Sequence, residues 1–153
     1  DIFESDFSQA TVISMFLLPS LNLQLRPKIL SLKPGTRVVS NTFPMGEWEA
    51  DSTATIGGGC ENWCTALLWI VPATVAGTWR LPDGEVTLAQ QFQMLTGTLK
   101  RGTAPMPISQ AKMLGTEITF TAGGVRYTGR VNGNTMEGTT TSAVGGSSGA
   151  WRA

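Results

Sequence analysis

The chain has 153 residues, 41% hydrophobic and 14% charged, enough for a core in one domain or two small ones. Eleven basic residues balance eleven acidic ones, so the charge implies no polyanion and no nucleic-acid partner. There is no histidine, which removes imidazole bases, histidine-based triads and histidine metal ligands together.

Residues 1–9 are polar and acidic, with Asp6 and Ser8 placed as turn or cap residues. Residues 10–18, ATVISMFLL, form a nearly continuous apolar run, as a buried parallel strand would. The run is far too short to span a bilayer, and no membrane partner is expected. Leu21, Leu25, Ile29 and Leu32 then recur at intervals of three to four, which puts them on one helix face. Pro27 fits best in the first turn of a second helical piece, after a break near Arg26. Residues 36–40, opened by the turn pair Pro34-Gly35, are a second short run rich in β-branched side chains. Strand, helix, strand at this length is a βαβ crossover with parallel neighbouring strands. Ligands of such sheets bind beyond the carboxyl ends of the strands, which directs attention to Leu17, Leu18, Pro19 and Ser20.

The series Asp1-Ile2-Phe3-Glu4, then Asp6, ATVISMFLLP, LNLQLRPKILSLKPGTRVVS and FPMGEW resembles the later half of a bacterial class I methyltransferase domain. That class uses S-adenosylmethionine, and the stretch is similar to its protein-lysine methyltransferases. The resemblance covers roughly the first half of the chain. It implies that Asp1 lies beside the adenine of the cofactor, because a carboxylate only accepts hydrogen bonds and suits an exocyclic amine. It places the Ile2 backbone N–H at the ring, with Leu17 also on the cofactor side. Leu18, Pro19, Ser20 and Asn22 occupy the place where the family closes its methyl-transfer pocket. Relatives that methylate nitrogen often carry Asn/Asp-Pro-Pro-aromatic there, and this chain has Leu-Leu-Pro-Ser instead. Pro19 and Asn22 are equally explained as helix-entry geometry. The FPMGEW stretch can face the substrate, or Trp48 can pack against the sheet edge.

Residues 52–56 and 63–71, around Gly57-Gly58-Gly59, read as a hairpin completing the first sheet. The glycines are a turn and not a phosphate loop, since no helix and no Lys-Ser/Thr pair follows. Cys60 and Cys64 are the only cysteines. They read as two free thiols, with a disulfide across a bend as the alternative. Two thiolates alone make no zinc site, so no metal is expected.

The texture changes at residues 72–76. Beyond them, short alternating runs are separated by turn signals at Pro82-Asp83-Gly84, Arg101-Gly102, Ala122-Gly123-Gly124 and Asn132-Gly133. Residues 145–149 read as a flexible Gly/Ser turn. LTGTL, YTGRV and MEGTT each place a glycine mid-strand, at Gly97, Gly129 and Gly138, as a coiled sheet bending into a small barrel or half-barrel requires. Trp79, Phe92, Phe120, Tyr127 and Trp151 are expected in the core. Arg80, Lys100, Arg101, Arg126, Arg130 and Arg152 are expected on a solvated face.

The fold class is therefore α/β plus all-β. Residues 1–72 form a partial Rossmann-like methyltransferase sheet, a βαβ unit plus a β-hairpin, and residues 73–153 form a small antiparallel barrel or half-barrel. The resemblance implies methyl transfer from S-adenosylmethionine to a nitrogen or oxygen acceptor, a protein being one option, with no catalytic residue assigned. The glycine-rich loop and ribose-binding acid of the cofactor site are absent from the sequence. The chain thus reads as a fragment, inactive alone and binding the cofactor weakly or not at all. An exposed sheet edge makes a homo-oligomer plausible. The alternative is a non-enzymatic β module that binds a protein or glycan.

Overall fold

The computed structural model describes residues 1–153 except 143, 145 and 147. The chain forms two compact units, Asp1–Pro72 and Ala73–Ala153.

The first unit contains β1 (Val12–Met15), α1 (Pro19–Leu30), β2 (Arg37–Asn41), β3 (Ser52–Thr55) and β4 (Thr65–Ile70). The strands lie in the order β1-β2-β4-β3. β1 runs parallel to β2, and β4 runs antiparallel to both β2 and β3. Helix α1 joins the parallel pair, as the length of the connection requires. Val38 and Ser40 of β2 and Trp69 of β4 are fully buried, the alternation expected of a strand with one core face. Trp48 is also fully buried. It packs on Trp69 at 6.2 Å between ring centroids, and its carbonyl accepts the Trp69 Nε1–H at 2.7 Å. The FPMGEW tryptophan is therefore core packing and not a substrate-facing group.

The structure departs from the sequence pattern in three places. The apolar run is not a buried strand. Its strand is four residues long, Val12 lies on a face that nothing covers, and Phe16 and Leu18 fall beyond the strand and are exposed. Helix α1 is continuous through Pro27, with no break at Arg26. Pro19 occupies the first helical position, where a missing N–H costs nothing. Pro27 falls in the last turn, where it forfeits one bond and has little helix left to disrupt. Cys60 and Cys64 form a disulfide, with Cα atoms 5.9 Å apart. Both lie in the loop between β3 and β4, where the chain turns, so the separation of an extended strand does not apply.

The second unit contains β5 (Gly77–Leu81), β6 (Gly84–Gln91), β7 (Met94–Arg101), β8 (Ala104–Pro107), β9 (Ser109–Leu114), β10 (Glu117–Ala122), β11 (Val125–Asn132), β12 (Thr135–Ser142) and β13 (Ser148–Arg152). They form one 9-stranded sheet, ordered β13-β12-β11-β10-β9-β7-β6-β5, with β8 on β7. The sheet curls toward closure: Pro82, just past β5, shares a cleft with Trp151 and Arg152 of β13.

The mid-strand glycines explain the coiling. Gly129 faces Gly138 across β11 and β12, and Gly138 faces Trp151 across β12 and β13. A Cβ on Gly129 would lie 2.5 Å from the Trp151 ring, and one on Gly138 would overlap the Thr128 carbonyl. Only glycine lets the strands approach this closely. Phe120 and Tyr127 stack at 4.5 Å, and Trp151 meets both edge-on.

Trp79 lies against this core, whereas Phe92 is half-buried at a hairpin turn with φ 54. β13 begins within the segment read as a Gly/Ser turn, of which positions 145 and 147 lie outside the described residues. β8 had no signal in the sequence, because it carries Pro105 and Pro107. Prolines are tolerated there because β8 pairs with β7 alone.

Candidate functional site

The carboxyl ends of β1 and β2 leave the sheet on the same side, since the two strands are parallel. Residues after β1 enter α1, whose first free N–H groups bond back to Leu18: Leu21 N–H at 2.9 Å and Asn22 N–H at 3.1 Å. Residues after β2 turn sharply at Thr42, where φ is 62. This exit loop is fixed by two buried side chains. Ser40 Oγ donates to the Phe43 carbonyl at 2.7 Å, and Asn22 Nδ2 donates to the Phe43 and Pro44 carbonyls at 3.1 and 3.2 Å. Arg26 Nη1 donates to the Met45 carbonyl at 3.0 Å.

Two concavities flank this edge. The first is an apolar groove of about 290 Å³. It is lined by Ile2, Phe7, Ile13, Met15, Leu17, Leu25 and Ile29, with Ser14 its polar side chain. Lys28 ties the N-terminal segment to this groove: its Nζ donates to the Phe3 and Ser5 carbonyls and lies 4.7 Å from the Phe7 ring centroid. The Ser8 N–H, 2.9 Å from Asp6 Oδ1, holds the Asp6 carboxyl below its ordinary pKa, helped by the Ser8 hydroxyl and the Lys28 ammonium.

The second is a cleft of about 430 Å³ at the carboxyl edge. Phe16, Asn41, Ile56, Trp63 and Thr65 contribute to its wall. Phe16, Phe43 and Trp63 form one aromatic cluster, with centroids 5.9, 5.6 and 5.1 Å apart. Trp63 is carried by the loop that the Cys60–Cys64 disulfide closes, and it adopts φ 60.

Ile2 and Leu17 line the groove together. The Asp1 carboxylate accepts the Phe3 N–H at 2.9 Å and is exposed. Leu18, Pro19 and Ser20 are exposed at the start of α1 and line neither concavity. Asn22 is fully buried and holds the β2 exit loop, while its Oδ1 has no partner. Among the described residues, no carboxylate or ammonium lines either concavity, and no cluster could hold a metal ion. Phe16, Phe43 and Trp63 were not found from the sequence. Nothing in their spacing links residue 63 to residue 16, and the pairing depends on the disulfide loop and the register of β4.

An S-adenosylmethionine fit is partial. The groove offers an apolar face suited to the adenine ring. It offers no acid for the ribose and no polar set for the amino-acid end.

Residues 1–52 match the family model described as the ANTKMT methyltransferase domain. A protein-lysine N-methyltransferase of Saccharolobus islandicus (strain REY15A) is 42% identical over 72 residues, 46% of this chain and 44% of that protein. A crystal structure of an RNA methyltransferase from Salinibacter ruber in complex with S-adenosyl-L-homocysteine is 43% identical. It covers 49% of this chain and 46% of that one, with a TM-score of 0.44. The chain thus spans less than half the length of these relatives. It resembles methyltransferases, the lysine-directed ones among them.

Proposed function

We propose that the first unit is part of a Rossmann-like, S-adenosylmethionine-dependent methyltransferase that delivers a methyl group to a nitrogen or oxygen acceptor. The observation that carries this reading is the parallel β1–β2 pair, joined through α1, within the 52 residues that match the family model. Its carboxyl edge is where ligands of such sheets bind. When bound, the cofactor supplies an electrophilic methyl group on sulfur.

This chain's part is positioning. Ile2 and Leu17 offer an apolar wall to the adenine, and Asp1 lies next to that wall in sequence. The carboxyl-edge cleft holds the acceptor in place. Among the described residues, none lining that cleft carries an acid or base side chain, so these residues supply position and not proton transfer.

Because the groove fits only the adenine end, this chain by itself binds S-adenosylmethionine weakly. Calorimetric titration of the chain tests this, with no heat of tight binding expected at micromolar concentrations. Saturable micromolar binding to the monomeric chain would contradict it. The second unit is not favoured as a glycan module, since Phe120, Tyr127 and Trp151 are buried and leave few ring faces for stacking.

A further inference from the structure

We propose that the Cys60–Cys64 disulfide is a redox latch on the carboxyl-edge cleft. Closed, it holds Trp63 in place as part of the cleft wall. Reduced by a dithiol, it releases that wall. The inference rests on the methyltransferase reading only in calling the cleft the acceptor's place.

The latch follows from the backbone of one loop. Residues 56–64 connect β3 to β4, and the Ile56 N–H donates to the Cys64 carbonyl at 2.8 Å across its base. Residues 57–63 are exposed, and three of them are glycine, which gives up the most backbone freedom when a loop is ordered. Trp63 has φ 60, a conformation that a bulky residue keeps only where its surroundings impose it. The constraint beside it is covalent, because Trp63 precedes Cys64 and lies inside the ring that the disulfide closes. In this conformation the indole packs on Phe16 and Phe43, with centroids 5.6 and 5.1 Å away. Trp63 and Cys64 both line the cleft. Once the cross-link is cut, ring contacts must order a glycine-rich loop and hold Trp63 in the left-handed region. Both costs oppose them, so Trp63 relaxes to negative φ and its ring leaves the cluster. The rest of the first unit does not depend on the loop, since Val38, Trp48 and Trp69 are fully buried elsewhere and Trp69 is tied to the Trp48 carbonyl.

The chemistry has a defined entry point. Cys60 is exposed and Cys64 half-buried, so an incoming thiolate reaches the Cys60 sulfur first. Attack there forms a mixed disulfide with Cys60 and expels Cys64 as a thiolate, which takes a proton from solvent. The second thiolate of the dithiol then displaces the Cys60 sulfur, which is protonated in turn, and the dithiol closes its own disulfide. Two electrons and two protons pass from the dithiol to the cysteine pair. Exposed disulfides are the labile, regulatory ones, whereas structural disulfides resist reduction.

The test is NMR of the intact chain, oxidised with glutathione disulfide and then reduced with excess dithiothreitol. Nuclear Overhauser contacts from the Trp63 indole to the Phe16 and Phe43 rings should be present when oxidised, lost when reduced and restored on reoxidation. The Trp48 and Trp69 indole resonances and those of residues 73–153 should stay in place. The paired variant Cys60→Ser and Cys64→Ser should show the reduced spectrum and ignore the dithiol. Ring contacts that survive reduction would overturn the latch. So would a disulfide that resists dithiothreitol in the folded chain, or reduction that also displaces Trp48 and Trp69, which would make the bond a structural staple. Titrating each redox state with S-adenosylmethionine separates the two claims. No shifts at Ile2 and Leu17 in either state would remove the methyltransferase reading and leave the latch. Shifts there with ring contacts that survive reduction would remove only the latch.

Discussion

The first unit leaves Ile2, Val12, Phe16, Leu18, Leu23, Ile56 and Trp63 exposed, all at 41% or more. In the second unit, the exposed large apolar residues are Met94, Leu114 and Val144 among those described. The second unit also holds one continuous core, from Val75 through Trp151. The difference follows from the sheets. A 9-stranded sheet that curls toward closure has an inside, and buried residues alternating along β6, β7, β9, β10 and β11 fill it. A 4-stranded sheet with one helix has a free edge at β1 and an apolar groove beside it. Ligands of parallel sheets bind at the carboxyl edge, and that is the edge at which this apolar surface is exposed.

The most severe way to break the comparison is to spoil the second unit's coiling. Gly138→Val places atoms on the Thr128 carbonyl and is expected to lose about 3 kcal/mol or more of that unit's stability, read by urea unfolding. Asn22→Ala removes the donor to the Phe43 and Pro44 carbonyls. It should cost the first unit about 2 kcal/mol and leave the second unit's transition in place. Val12→Lys puts a charge on the open strand edge. If copies pair through the exposed sheet edge, it should shift sedimentation toward monomer, and an unchanged sedimentation profile would argue against pairing through β1.

The smallest effect concerns Tyr127. Its ring is buried, its hydroxyl has no partner, and burial pushes its pKa up. The unfolded chain ionises near pH 10 while the folded chain holds the proton, so stability is full below that pH and falls as pH rises through the folded pKa. Tyr127→Phe should remove this alkaline loss and change neutral-pH stability by less than about 1 kcal/mol. An unchanged alkaline transition would place the titration elsewhere.

The sequence made some of this legible. Glycine in the middle of LTGTL, YTGRV and MEGTT had one economical meaning, strands in close approach, and Gly129 and Gly138 are used that way. The parallel pair could be read because a helical spacing separated two apolar runs. Burial of residues 10–18 could not be, because composition does not say where the strand ends or what covers its faces. Pro27 misled because a proline's cost depends on how much helix follows it, and here only three residues do. The carboxyl edge was expected at Leu17 to Ser20, and the aromatic side chains that pack together there are Phe16, Phe43 and Trp63. Aromatic contacts between residues so far apart are set by strand register and the disulfide, neither of which local pattern encodes.

The central claim is that the first unit, and not the second, is the methyltransferase-type surface. A two-dimensional NMR titration of the intact chain with millimolar S-adenosylmethionine tests it most directly. The account predicts weak, fast-exchange shifts at Ile2, Phe7, Ile13 and Leu17, with none in residues 73–153. Shifts concentrated in residues 73–153, or no shifts anywhere, would contradict it.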